Sequence, residues 1–188
     1  MENPVKVLLT GNWIMALCGC FYLAWWIVAF RPPEPRTTPA GRILLALAFL
    51  TGIAGFYLMS RTLSAPAAEI QSGLRNLWIV AGGIAVYAIL LAGTALIFHR
   101  QITSELFIIT AWTVLELCAV NFLYRYGVLS RITGGLLSGM ILTAAVASLI
   151  CYLLYYRLPY TEGYIDGCIP LILAIATIAA VNLTAAWT

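Results

Sequence analysis

Charge is what this sequence has least of: ten Lys and Arg and seven Asp and Glu make up only 9% of its 188 residues. A soluble domain is about a quarter charged, so these residues are too few to clothe a water-exposed globule. The net charge of +3 is thinly spread and offers no patch for nucleic acid. Histidine is nearly absent as well, since His99 is the only one and it falls between two apolar runs. A serine or cysteine nucleophile at membrane depth would therefore lack its usual base. No nucleotide-binding glycine loop, kinase signature or EF-hand loop occurs, and the five cysteines contain no CxxC pair. Cys18 and Cys20 point about 200° apart on a helix, so they neither bridge nor chelate one ion. Cysteines are read as small apolar packing residues. No metal, no cofactor and no enzymatic activity is expected.

Apolar residues are what the sequence has in excess. They make up 63% of the chain, and the mean hydropathy is +0.97. Six runs stand out, Val7–Phe30, Ile43–Ser60, Leu77–Phe98, Leu106–Tyr124, Ile132–Tyr156 and Gly167–Trp187, each 18 to 25 residues long. An α-helix needs about 20 residues to cross about 30 Å of hydrocarbon. The runs lack the alternation of barrel strands. The expected fold is all-α, a polytopic integral membrane protein with six transmembrane helices in one bundle.

The connections are short. Arg31–Arg42 is rich in proline and cannot continue a helix, Ala65–Ile70 could form an interfacial turn, and no soluble appendage is expected. Leu17–Cys20 faintly resembles a lipoprotein cleavage box, but the residues after Cys20 stay apolar. The first run also exceeds the core of a signal peptide, so it is expected to remain a membrane helix. Six crossings place both termini on one side. Lys and Arg divide evenly between the two sides, which leaves orientation open. Tyr and Trp cluster near the run ends, as amphipathic rings do at membrane interfaces.

Glu116 is the one charged residue inside the six runs. Counted from Glu105 it lies about 16 Å deep, where an ionised acid costs on the order of 2.5–3.5 kcal/mol. It should face the bundle interior, with Trp112 and Thr113 on its face one turn earlier. An intramembrane acid is a functional candidate, here for a proton or a substrate. Asn12, Asn121 and Asn182 are expected about 5–8 Å from one interface, either as a polar cluster or as hydrogen-bonded glue between helices. Asn121 lies roughly 140° around the helix from Glu116, so the two should not share a pocket.

Gly135, Ser138 and Gly139 form a GxxxG-type face, and Asn12, Ala16 and Gly19 a second narrow one. Both suit close helix packing, within the chain or against a partner subunit or second copy. Asp166 is read as capping the sixth helix, with Pro170 in its tolerated first turn. The connection before it, with Glu34, His99 and Glu105 on the same side, could rim a cavity mouth.

These features point to a lipid-embedded protein that binds a small molecule or ion and moves it. It would do so by proton coupling or as the membrane-embedded subunit of a larger transporter. The alternative is a non-transporting assembly or regulatory subunit that docks partner helices through its small-residue faces.

Overall fold

A computed structural model describes residues 3–35, 37–64, 74–96 and 104–187. His99, Arg100 and the expected turn at Ala65–Ile70 lie outside these residues. Six long helices occur among the described residues: α1 (Pro4–Ala29), α2 (Pro39–Leu63), α3 (Leu74–Leu96), α4 (Ser104–Arg125), α5 (Arg131–Leu154) and α6 (Tyr160–Trp187). A 3-10 turn, Tyr155–Arg157, joins α5 towards α6. Each long helix has the length and apolarity to cross a membrane.

Three helices begin earlier than their apolar runs because polar residues cap them. Asn3 Oδ1 accepts from the Val5 amide, with Pro4 in the first turn of α1. Thr38 accepts from Gly41, ahead of which Pro39 opens α2. Ser130 accepts from Thr133 at the start of α5. A side-chain oxygen followed by proline is a favourable helix start.

The largest difference is at α6. It begins at Tyr160, seven residues before the expected Gly167, directly after Pro159. Asp166 is therefore not a cap but a buried residue in the second turn. Pro170 likewise lies inside the helix rather than in its first turn. The run from Gly167 marks where α6 becomes continuously apolar, not where it starts.

α4 is the most buried helix and α3 the least. α1 packs most extensively on α2 and then on α6, α5 packs on α4 and α6, and α3 leans chiefly on α4. The α1–α2 crossing is close because Gly11 and Gly55 face each other. A Cβ on Gly55 would stand 3.0 Å from the Gly11 carbonyl oxygen. At the opposite end, Tyr160 Oη donates to the Phe30 carbonyl and Trp26 Nε1 to the Tyr164 carbonyl, tying α6 to α1.

The main core joins Leu8 and Ala16 of α1, Ala119, Phe122 and Leu123 of α4, Ile141 of α5 and Val181 of α6. Large apolar side chains also cover the outside, among them Phe49, Ile53, Trp78, Ile89, Ile132 and Leu136. In water that surface would be a severe liability; in hydrocarbon it is the required solvent contact. The chain is a multi-pass membrane protein.

Candidate functional site

Glu116 lies inside the bundle, fully buried, halfway along the most buried helix. Counting from the Arg125 end of α4 puts it about 13 Å deep. Asn12, eight residues into α1, reaches about 12 Å from the same end. The early start of α1 at Pro4 is what brings the two level. Asn182 arrives from the last turns of α6, so three helices contribute one polar group each.

Asn12 joins them. Its Nδ2 donates to Glu116 Oε2 at 3.3 Å and to Asn182 Oδ1 at 3.2 Å, and all three residues are at most 1% exposed. An amide nitrogen has two hydrogens, so this geometry suits an ionised Glu116 and equally a protonated one whose O–H is on Oε1, because Oε2 is then a carbonyl oxygen that accepts. With the proton on Oε2 instead, the same heavy-atom positions serve once the Asn12 and Asn182 amides turn over. The carboxylic O–H and Asn182 Nδ2 then both donate to Asn12 Oδ1, because amide oxygen and nitrogen exchange places without a change of shape. The triad therefore closes its internal hydrogen bonds in either protonation state. Each turn inverts what Asn12 and Asn182 present to their surroundings.

Around this triad stand unpaired groups. Asn12 Oδ1, Glu116 Oε1, Asn182 Nδ2 and the indole Nε1 of Trp112 are buried and have no hydrogen-bond partner. A buried polar atom left unpaired costs about 1–3 kcal/mol. Two acceptors and one donor among these belong to the triad itself, and the fourth group, a donor, is on Trp112, one turn from Glu116 on α4. Thr113 is half-buried and its Oγ1 donates back to the Ile109 carbonyl at 2.7 Å, so its hydroxyl is engaged within the helix.

Asn121 is elsewhere. Its Nδ2 donates to Asn76 Oδ1 of α3 at 2.7 Å, on the side of α4 turned from Glu116. The three expected asparagines therefore divide two and one. Asn76 was missed because it falls just before the third apolar run; its proximity to Asn121 is a tertiary fact. Asn121 lines a partly open, polar cavity of about 410 Å³ with Arg75, Tyr124, Arg131 and Ser138.

None of three comparisons, with protein-family models, curated proteins and solved structures, finds a match. The site is read from its geometry alone.

The small residues behave differently from one another. Ala16 is buried in the core, and a Cβ on Gly19 would stand 2.8 Å from Ile175 Cγ1, so this face brings α1 close to α6. Gly135 and Gly139 are exposed, and a Cβ on either would meet nothing within 4 Å. The residue of α5 that does face α4 is Gly134, beside Tyr124 and Val120. Ser138 Oγ donates to the Gly134 carbonyl. Among the cysteines, Cys118 and Cys151 are buried and Cys20 is exposed on the apolar exterior. No group of three or more His, Cys, Asp or Glu is gathered for a metal among the described residues.

Proposed function

We propose that this protein binds a small solute within its helical interior and carries it across the bilayer, with Glu116 as the proton-carrying group. The supporting observation is the Glu116–Asn12–Asn182 network, built from three helices and shielded from lipid. Transporters place binding groups near the bilayer midplane at helix interfaces, and the depth of Glu116 fits that plan. Protonation at Oε2 would turn the Asn12 and Asn182 amides over and change which hydrogen bonds the site offers a solute. That is a direct chemical link between a proton and a ligand. Trp112 supplies a donor beside the triad and Thr113 an apolar methyl. Both termini lie on one side of the membrane in this reading. The protein acts alone or as the membrane subunit of a larger transporter.

The test is uptake into liposomes containing the purified protein, with an inward proton gradient imposed. The probes are radiolabelled amino acids, water-soluble vitamins and monovalent cations. The expected outcome is accumulation of one probe above protein-free vesicles, abolished by dissipating the gradient and reduced at least tenfold in Glu116→Gln. Equal uptake by wild type and Glu116→Gln overturns the reading, and so does the absence of uptake for every probe.

A second reading, an assembly or regulatory subunit, is favoured by the outward Gly135 and Gly139 of α5. Small residues on a lipid-facing surface allow close approach of another helix. A stoichiometric partner retained in mild detergent, without uptake of any probe, supports this reading instead.

A further inference from the structure

Where α3 and α5 begin and α4 ends, the partly open cavity of about 410 Å³ lies between these three helices. Its size falls within the roughly 300–1,000 Å³ of small-molecule sites. Two cations border it, Arg75 in the first turn of α3 and Arg131 at the first position of α5. No carboxylate lines it among the described residues. Both arginines are exposed, so their long side chains can turn onto a ligand at the mouth. The ends of α3 and α5 that meet here are also the positive ends of their helix dipoles.

The cavity changes character with depth. Arg75, Tyr124 and Arg131 border it at the helix ends. Gly135 lies about 6 Å deeper than Arg131 along α5, and Leu117 about 12 Å deeper than the Arg125 end of α4. Ile79 and Val120 complete an apolar lower wall. On the inner side Asn121 Nδ2 donates to Asn76 Oδ1 at 2.7 Å, which holds α3 to α4 at this level. The α5 side is bare, because Gly135 is exposed and a Cβ there would meet nothing within 4 Å.

We infer that this cavity holds a phosphate-bearing anion, the head of a membrane phospholipid of net negative charge, with an acyl chain along the apolar lower wall. Two arginines with no acid beside them favour a net negative partner. A guanidinium also meets phosphate oxygens in pairs, with a fork of donors that fits them. Position argues for a lipid over a soluble phosphate. Arginines at helix ends lie at headgroup depth, where basic pockets between membrane helices take anionic headgroups. A soluble anion would have no use for an apolar wall that runs on towards the hydrocarbon. The helices leave room for such a guest: α3 is the least buried of the six and leans chiefly on α4, with a gap towards α5 at this level. The inference is independent of the proton-linked reading, because it invokes neither Glu116 nor flux.

The test is native mass spectrometry of the full-length protein, delipidated in mild detergent and titrated with dioleoyl phosphatidylglycerol. Dioleoyl phosphatidylcholine, with the same chains and a zwitterionic head, is the lipid control. Inorganic phosphate and glycerophosphoglycerol are the soluble competitors. The expected result is one phosphatidylglycerol retained per chain, preferred at least fivefold over phosphatidylcholine and displaced by neither soluble anion. Arg75→Gln and Arg131→Gln should each weaken binding about fivefold, the usual contribution of one basic residue at an anionic lipid surface. Arg125→Gln, at the same end but outside the cavity lining, should leave binding unchanged. Gly135→Leu keeps both cations and fills the space assigned to the acyl chain without meeting a neighbour. It should weaken binding severalfold, and it carries the test if the arginine variants do not fold. Absence of a headgroup preference or displacement by either soluble anion overturns the inference. So does undiminished binding in the cavity variants, or an equal loss in Arg125→Gln. Such a failure leaves proton-linked uptake untouched, and failed uptake leaves this lipid site untouched.

Discussion

A lone acid in a long apolar run has few options: it faces lipid at high cost, or it finds polar partners inside the protein. Glu116 takes the second course, and that much follows from its position between Leu115 and Leu117. Its partners were harder to name. Asn12 and Asn182 are visible as polar residues, but their meeting with Glu116 depends on helix starts and tilts that single-residue counting does not supply. Asp166 shows the same difficulty from the other side. A short acidic residue before an apolar run looks like a cap, and only the start of α6 at Tyr160 reveals it as buried. The triad makes a specific stability ordering. Asn12→Ala strips the amide donor that Glu116 Oε2 and Asn182 Oδ1 share, at a cost of about 1–3 kcal/mol. Glu116→Gln keeps an oxygen for Asn12 Nδ2 to meet and should cost less than about 1 kcal/mol. Thermal unfolding in detergent checks this: Asn12→Ala should melt well below Glu116→Gln, and the reverse order contradicts the network.

At the scale of elements, the six helices were legible because their apolar runs approach the thickness of the hydrocarbon layer. Their ends were less legible. Capping residues and proline extend α1, α2 and α6 into polar sequence that hydropathy assigns to loops. Helix faces were the least legible, because in a membrane both the packed and the lipid-facing sides are apolar. Hence the glycine pairs could not be sorted beforehand. Gly11 and Gly55 hold the α1–α2 crossing, whereas Gly135 and Gly139 look outward. Gly55→Leu would drive a side chain into the Gly11 carbonyl and Met15, and overpacking of this kind typically costs about 1–3 kcal/mol. Gly139→Leu meets no neighbour within 4 Å. Melting temperatures of the two variants should separate clearly, with Gly139→Leu close to wild type. A large loss in Gly139→Leu would instead place another subunit against α5.

For the whole molecule, the scarcity of charge and the outward apolar belt lead to the same solvent, the bilayer. Within that setting buried polar groups gather in three places: the Glu116 triad, the Asn121–Asn76 pair between α4 and α3, and the neighbourhood of Asp166 and Tyr152. The neighbourhood of Asp166 was not legible beforehand, since four helices must converge to create it. The central claim is that Glu116 exchanges a proton while held by amides from two other helices. Infrared difference spectra between acidic and alkaline buffer, recorded on the protein in lipid, report this directly through the C=O stretch of a protonated carboxyl. The account predicts a band that disappears in Glu116→Gln and shifts in both Asn12→Ala and Asn182→Ala. A spectrum with no band lost in Glu116→Gln, or a Glu116 band indifferent to both asparagines, would contradict it.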